Sequence, residues 1–158
     1  MSAPVGNEIE GSVIHLSADL VTTTTPVSVI RVDEATASID ASLDTWIVIH
    51  GRGNNSSTDY ILQLTGTLSS LLPESQVLAL DWQEGAFATP RLPDFTGEVW
   101  IAPVAQWACS VLSDYGFEAS AVNLIGHSWG AVLASELCRS AFLTRTCSTK
   151  WGHHLEEK

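Results

Sequence analysis

The start of the chain alternates apolar and polar residues in the manner of β-strands. The first alternating set consists of Ile14, Leu16, Ala18 and Leu20. A second, β-branched set follows an expected turn at Thr22–Pro26 and consists of Val27, Val29 and Val32. Because a period of two gives a strand one apolar face, these sets predict two opening strands that pair as a hairpin.

From Trp46 onward, short apolar runs alternate with segments of helical periodicity. The expected strands are Trp46–Ile49, Val77–Leu80 and Ala121–Ile125. The first expected helix has apolar positions at Ile61, Leu64, Leu68 and Leu71, with Ser56 or Ser57 as its cap and Pro73 after its end. The second starts near Ala102, with Pro103 in its first turn, and ends at Gly116, and the third follows Ser128. Strands alternating with helices imply parallel pairing through right-handed crossovers, hence an α/β fold.

The charge distribution excludes some partners and divides the chain. The formal net charge is −11, so nucleic acid and anionic membrane surfaces would repel the protein, and we expect no nucleic-acid partner. Residues 1–138 contain three arginines, no lysine and sixteen acidic residues, whereas both lysines lie among the last nine residues. We therefore expect one domain over residues 1–140 and an atypical tail over 141–158 that is not part of the fold.

The remaining composition predicts few special features. The three cysteines, Cys109, Cys138 and Cys147, have no metal-binding spacing, and we interpret them as buried thiols. No cofactor motif and no metal site are indicated. No apolar run approaches the ~20 residues that a transmembrane helix needs, and no signal peptide is visible after Met1. We expect a soluble protein, and its localisation stays open.

The strongest chemical signal is the pentapeptide Gly126-His127-Ser128-Trp129-Gly130, which matches G-x-S-x-G. It lies between a predicted buried strand and a predicted helix, as a nucleophile elbow requires. In such a turn the serine hydroxyl projects from the carboxyl edge of the sheet, and the helix N-terminus favours a developing negative charge. Ser128 is therefore the candidate nucleophile, and the backbone N–H of Trp129 is one candidate oxyanion donor.

A second glycine-rich loop follows the earlier central strand. His50-Gly51-Arg52-Gly53 comes directly after Ile49, where the other half of an oxyanion hole is expected. We assign the backbone N–H of Arg52 as the second donor. His50 and Gly51 belong to the same loop.

Three groups of residues together resemble the pancreatic-lipase-like family of α/β-hydrolases. They are Ile49-His50-Gly51, Leu80-Asp81-Trp82 followed by Gly85-Ala86, and Ile125-Gly126-His127-Ser128-Trp129-Gly130-Ala131, and they span roughly residues 46–139. The resemblance implies a partial α/β-hydrolase fold, a serine nucleophile at Ser128, an oxyanion N–H at Arg52 and an ester or lipid substrate. By analogy with the family it also implies secretion. In that family an aspartate and a histidine after the nucleophile complete the triad.

That triad is not found in this chain. No aspartate follows Ser128, and the only histidines after it are His153 and His154. We interpret His50 and His127 as structural residues beside the site, and the position of Asp81 in the resembling lipases is also structural.

Three interpretations follow from the missing triad residues. The chain is an active ester hydrolase that uses His153 or His154, a truncated lipase-like fragment with low activity, or a non-catalytic module that binds lipid or another partner. In the truncated form, the strand Ala121–Ile125 would have an open edge, and we expect self-association there.

Overall fold

A computed structural model describes residues 6–16, 20, 22–34, 37–87 and 98–140. The strands are β1 (Glu8–Leu16), β2 (Thr22–Arg31), β3 (Thr45–Ile49), β4 (Gln76–Asp81) and β5 (Val122–Gly126). The helices are α1 (Asp59–Leu71), α2 (Gln83–Ala86), α3 (Glu98–Asp114) and α4 (Trp129–Arg139), and a 3-10 turn at Ala119–Ala121 precedes β5.

The five strands form one mixed sheet in the order β1-β2-β4-β3-β5. β1 and β2 pair antiparallel, and β2 pairs antiparallel with β4, whereas β3 runs parallel to both β4 and β5. The predicted hairpin and the predicted parallel core are both present. The chain therefore has a partial α/β-hydrolase fold with flanking helices and an N-terminal strand pair, and its sheet is mixed rather than mostly parallel, since the parallel strands β4, β3 and β5 occupy one end.

Both faces of the central strands are covered, so consecutive residues of β3 enter different cores. Ile47 and Ile49 join the larger apolar cluster, to which α3 and α4 contribute Val104, Ala108, Leu133 and Leu137. Val48 faces the smaller cluster with Ile61 of α1 and Val77 of β4. This double burial is the reason that β3 is apolar throughout, as a strand between two helical layers must be.

Several predicted boundaries differ from the structure. The expected turn at Thr22–Pro26 is wrong, because these residues belong to β2 and pair with Ser12–Leu16. Threonine is β-branched and suits a strand, and Pro26 lies only four residues from the start of β2. Ala18 of the predicted first strand lies outside the described residues, as do Cys147 and the predicted tail 141–158.

The helix starts also differ in detail. Ser56 and Ser57 do not cap α1, whose N-cap position is Thr58, without a side-chain cap hydrogen bond. Pro103 lies inside α3 rather than in its first turn, since the helix already includes Glu98–Ala102. A proline inside a helix removes one backbone hydrogen bond, and its ring crowds the carbonyl group four residues earlier. Cys109 is a free thiol that is half-buried rather than fully buried as expected.

The strand β5 is at one end of the sheet within the part of the chain that the structure describes. It pairs with β3 and with no other described strand, and all five of its residues are only half-buried. In contrast, Ile47, Val48 and Ile49 of β3 are at most 2% exposed.

Among the described helices, none combines the length and apolar character that crossing a membrane demands.

Candidate active site

Ser128 lies at a sharp turn between β5, which ends at Gly126, and α4, which begins at Trp129. Its backbone has φ 56° and ψ −121°, a conformation that L-residues rarely adopt. The side chain is exposed, and its hydroxyl makes no capping hydrogen bond to α4. A non-glycine residue in this region is strained, and such strain is concentrated at functional sites.

Two glycines allow the chain to turn this tightly. A Cβ at Gly126 would lie 2.5 Å from the amide nitrogen of Ala131, and one at Gly130 would lie 2.6 Å from the carbonyl oxygen of His50. Both obstacles are backbone atoms, which cannot move aside as a flexible side chain can. The two glycines therefore bring α4 against β3 and set the direction in which Ser128 leaves the sheet.

The loop after β3 lies directly beside this turn. The N–H of His127 donates to the carbonyl oxygen of Ile49 at 3.1 Å. A Cβ on Gly51 would lie 2.8 Å from the carbonyl oxygen of His127 and 3.0 Å from Cβ of Ser128. The structure thus brings together the two segments that the sequence singled out, the His50–Gly53 loop and the Gly126–Gly130 turn.

His50 is a buried structural residue of this loop, only 1% exposed. The N–H of Trp82 lies 3.1 Å from its Nε2, which is also 3.3 Å from Oδ1 of Asp81, and its Nδ1 lies 3.0 Å from the carbonyl oxygen of Gly51. The indole N–H of Trp82 donates to the carbonyl oxygen of His50 at 3.1 Å. Both ring nitrogens are therefore occupied away from Ser128, and His50 is not placed to act as its base.

Asp81, at the end of β4, fixes the far side of the loop. Its Oδ2 accepts hydrogen bonds from the N–H and the hydroxyl of Ser56, at 2.9 and 2.6 Å, and its Oδ1 accepts from the N–H of Gln83 at 2.9 Å. Burial alone would raise the pKa of Asp81, but the contacts with His50, Ser56 and Gln83 outweigh burial and hold that pKa well below its usual range. Asp81 is an anchor for the loop after β3, in agreement with the expected structural role.

The side chains of Arg52 and Trp129 connect the loop to the elbow. The guanidinium carbon of Arg52 lies 5.2 Å from the centroid of the Trp129 ring, within cation–π range. The Trp129 ring lies 6.5 Å from that of Trp82, which stacks on His50 at 5.9 Å. Within the described ranges, the N–H of Trp129 has no backbone acceptor, whereas Gly130 and Ala131 donate to His127 and Ser128.

The hydroxyl of Ser128 and the histidines that could serve as its base are not connected in this way. No hydrogen bond among the described residues involves its hydroxyl. His127 is exposed and its ring packs on Tyr60, with centroids 5.0 Å apart. His153 and His154 lie outside the described residues. Over the same described segments, no group of histidine, cysteine and acidic side chains could hold a metal ion.

Comparison with known proteins supports the lipase-like interpretation at the level of sequence. No family model matches the chain. Over 92 residues it is 32% identical to human inactive pancreatic lipase-related protein 1, an alignment that covers 58% of this chain. The chain resembles the pancreatic-lipase-like family. It spans about a fifth of the length of that relative, with 20% of the relative covered.

Two solved structures have a similar chain arrangement. The chain matches a bacterial brefeldin A esterase at 17% identity and a TM-score of 0.48, covering 87% of this chain and 37% of that one. It matches an esterase from Pyrobaculum calidifontis at 15% identity and a TM-score of 0.47, covering 84% and 39% of the two chains.

Two features of the candidate site were not predicted from the sequence. The short helix α2 supports the loop, because the N–H of Gly53 donates to the carbonyl oxygen of Ala86 at 3.0 Å. The Arg52–Trp129 contact joins residues 77 positions apart, and no local pattern signals it. The run Asp81-Trp82-Gln83-Glu84, with an acid after a buried strand, is the signal that could have indicated an anchoring role there.

Proposed function

We propose that this chain carries the nucleophile half of a carboxylic ester hydrolase of the lipase or esterase type. Ser128 is the nucleophile, and the backbone N–H groups of Arg52 and Trp129 are the oxyanion donors. The observation that carries the proposal is the exposed, strained Ser128 at φ 56°, with Gly51 packed against its Cβ. A hydroxyl at a fixed turn beside two backbone segments fits acyl transfer better than a structural role.

The proposed reaction is attack of Ser128 Oγ on an ester carbonyl. The carbonyl oxygen becomes an oxyanion, which the two N–H groups stabilise, and the hydroxyl proton of Ser128 passes to water. Collapse of this intermediate breaks the C–O bond of the ester and leaves an acyl-serine, and the departing alkoxide takes a proton from water to become the alcohol. Water then releases the acid and restores the serine. Losing one oxyanion donor typically costs about 3–4 kcal/mol of transition-state stabilisation.

Low activity of the 158-residue chain is part of the proposal. A serine hydroxyl needs a base to remove its proton, and both His50 and His127 contact other groups. The 158 residues contain no aspartate after Ser128. Without a base and its orienting acid, only the ~10³–10⁴-fold enhancement supplied by substrate binding and the oxyanion hole is expected.

Hydrolysis of a short p-nitrophenyl ester tests the proposal. We expect slow turnover that Ser128→Ala removes and that the matched control Ser135→Ala, at an exposed position of α4, retains. Equal hydrolysis by the chain and by Ser128→Ala would contradict the assignment of the nucleophile.

A second candidate is a non-catalytic module that binds lipid or another partner through the lipase scaffold. The name of the curated relative, an inactive pancreatic lipase-related protein, favours it. Binding of neutral lipid vesicles, equal for the chain and for Ser128→Ala and without release of fatty acid, would support this candidate over hydrolysis.

Self-association through β5 is also proposed. Val122, Leu124 and Ile125 carry no charge, and β5 has one described neighbour, β3. A strand with one unpaired edge and no charged side chain readily pairs with another strand. A symmetric pairing of two β5 strands would satisfy the unpaired backbone groups.

A further inference from the structure

The β1–β2 hairpin projects beyond the rest of the sheet at the edge where Ser128 lies. The antiparallel register places Ser28 of β2 opposite Asp81, the last residue of β4. The preceding part of β2, Thr22–Val27, therefore continues past the carboxyl end of β4 and pairs with β1 alone among the described strands. Because β4, β3 and β5 are parallel and Ser128 follows β5, the projecting hairpin and the elbow lie at the same edge of the sheet.

One face of the hairpin is fixed to α3 and the core. Val13 belongs to the larger apolar cluster, and the ring of His15, on the same face, lies 5.6 Å from that of Trp100 in an edge-to-face arrangement. Since neighbouring residues of a strand point to opposite faces, Ile14 and Leu16 face away from α3. The anchored face thus holds the opposite face in a fixed direction.

That opposite face is apolar and exposed in its projecting part. Ile14 is 63% exposed, Leu16 is 58% exposed, and Leu20, in the connection between the two strands, is 79% exposed with a strained φ of 60°. We call these three residues the hairpin tip. Isolated apolar residues on a surface are ordinary, whereas several on one projection mark a contact surface.

The distribution of charge indicates what this surface contacts. At the base of the hairpin, Glu8 and Glu10 line an acidic groove. In contrast, Asp19 is the one charged residue in the sequence between Val13 and Ser28. A nearly uncharged apolar projection, on a chain of net charge −11, is complementary to a neutral apolar phase, and an anionic surface would repel it.

We infer that the hairpin tip docks on an electrically neutral lipid surface. Docking there would bring that surface to the sheet edge that carries Ser128. The inference rests on the proposed function for this catalytic consequence, whereas the docking itself requires no hydrolysis.

Co-sedimentation of the full chain with phosphatidylcholine vesicles tests the docking. We expect Leu16→Ser and Leu20→Ser each to weaken binding by about three- to tenfold, because part of one apolar side chain no longer leaves water. Leu71→Ser is the matched control, because Leu71 is 70% exposed but lies at the end of α1, and it should bind like the natural chain. Added phosphatidylserine should weaken the binding. Absence of binding to phosphatidylcholine, or an equal loss in Leu71→Ser, would overturn the inference.

A second measurement locates the contact. With vesicles present, the emission that Leu20→Trp adds to that of the natural chain should move to shorter wavelength and be quenched by brominated acyl chains. Leu71→Trp should show neither change. Unchanged added emission in Leu20→Trp on vesicles that bind the chain would contradict docking through the tip. If Leu20→Ser lowers self-association without lipid, the tip is an interface between copies, and the inference is also wrong.

The docking and the proposed function fail separately. Ser128→Ala should bind phosphatidylcholine vesicles as tightly as the natural chain. If docking holds but hydrolysis of a dissolved p-nitrophenyl ester does not depend on Ser128, the proposed function alone is wrong. If that hydrolysis depends on Ser128 but Leu16→Ser and Leu20→Ser bind vesicles like the natural chain, the docking alone is wrong.

Discussion

The two sides of Ser128 differ in how completely their polar groups are hydrogen-bonded and their strands are paired. On the side of β3 and β4, the N–H of Trp82 and Oδ1 of Asp81 both lie within 3.3 Å of His50 Nε2, and two glycines bring backbones into contact. On the side of β5, the strand is half-buried and has one described neighbour. The side on which we propose the oxyanion donors is therefore fixed by hydrogen bonds and close backbone contacts, whereas the described residues supply no group that activates the hydroxyl. Stabilising a charge and generating a nucleophile are separable tasks, and under the proposed function this chain would carry the means for the first.

The largest expected effect comes from the glycine that brings the two segments together. We expect Gly130→Ala to lower the free energy of unfolding by about 3 kcal/mol or more, because the added methyl would overlap backbone atoms of Ile49 and His50. Urea unfolding followed by tryptophan fluorescence measures it. Gly66→Ala in α1 is the control, since nothing lies within 4 Å of its Cβ, and it should stabilise the chain by about 0.4–1 kcal/mol. A fully stable Gly130→Ala would show that α4 and β3 are not in close contact.

The next effect concerns the carboxylate that anchors the loop. We expect Asp81→Asn to lower the free energy of unfolding by about 2 kcal/mol at neutral pH, because charge-assisted hydrogen bonds to Ser56 and Gln83 are weakened. Urea unfolding measures the loss. Asp40→Asn is the control, because the exposed Asp40 side chain accepts hydrogen bonds from Ser42 alone among the described residues, and its effect should be smaller.

The lowered pKa of Asp81 also predicts that the stability lost in Asp81→Asn depends on pH. The pKa of Asp81 is lowered in the folded chain, so its ionised form stabilises folding above the unfolded pKa of about 3.9 and loses that contribution as the pH falls below it. The difference in stability between the natural chain and Asp81→Asn should therefore shrink below about pH 4. A difference that is constant from neutral to strongly acidic pH would contradict the anchoring role.

Some features of the fold and of the candidate site could be predicted from the sequence, and others could not. The apolar runs predicted β3, β4 and β5 to within one residue at each end. For β3 and β4 the reason is burial on both faces, which leaves a continuous apolar signal, whereas β5 is only half-buried. The Gly126–Gly130 motif predicted the elbow because only glycine fits its backbone contacts. The long β2 was missed at Thr22–Pro26 because threonines occur in both turns and strands. The Arg52–Trp129 contact depends on tertiary packing, which no local pattern encodes.

The smallest expected effect is at the β5 edge. We expect the weight-average sedimentation coefficient to rise with concentration, and Leu124→Lys to reduce the rise, because a charge at a pairing edge opposes association. Leu62→Lys, on the exposed side of α1, is the matched control and should leave the association unchanged. A compact monomer at every concentration, with slow amide exchange in Val122–Gly126, would show that the edge is protected.

The central claim is that the proposed oxyanion hole supports slow ester hydrolysis at Ser128 without a base. The pH dependence of ester hydrolysis tests this claim most directly. For the natural chain, Ser128→Ala and a His153→Gln/His154→Gln double variant, the rate of p-nitrophenyl acetate hydrolysis is measured from pH 5 to 9. We predict a slow, Ser128-dependent rate that rises continuously with hydroxide, and the same profile in the double variant, because no histidine titrates as the base. Rapid turnover with a plateau above an apparent pKa near that of histidine, lost in the double variant, would contradict the central claim.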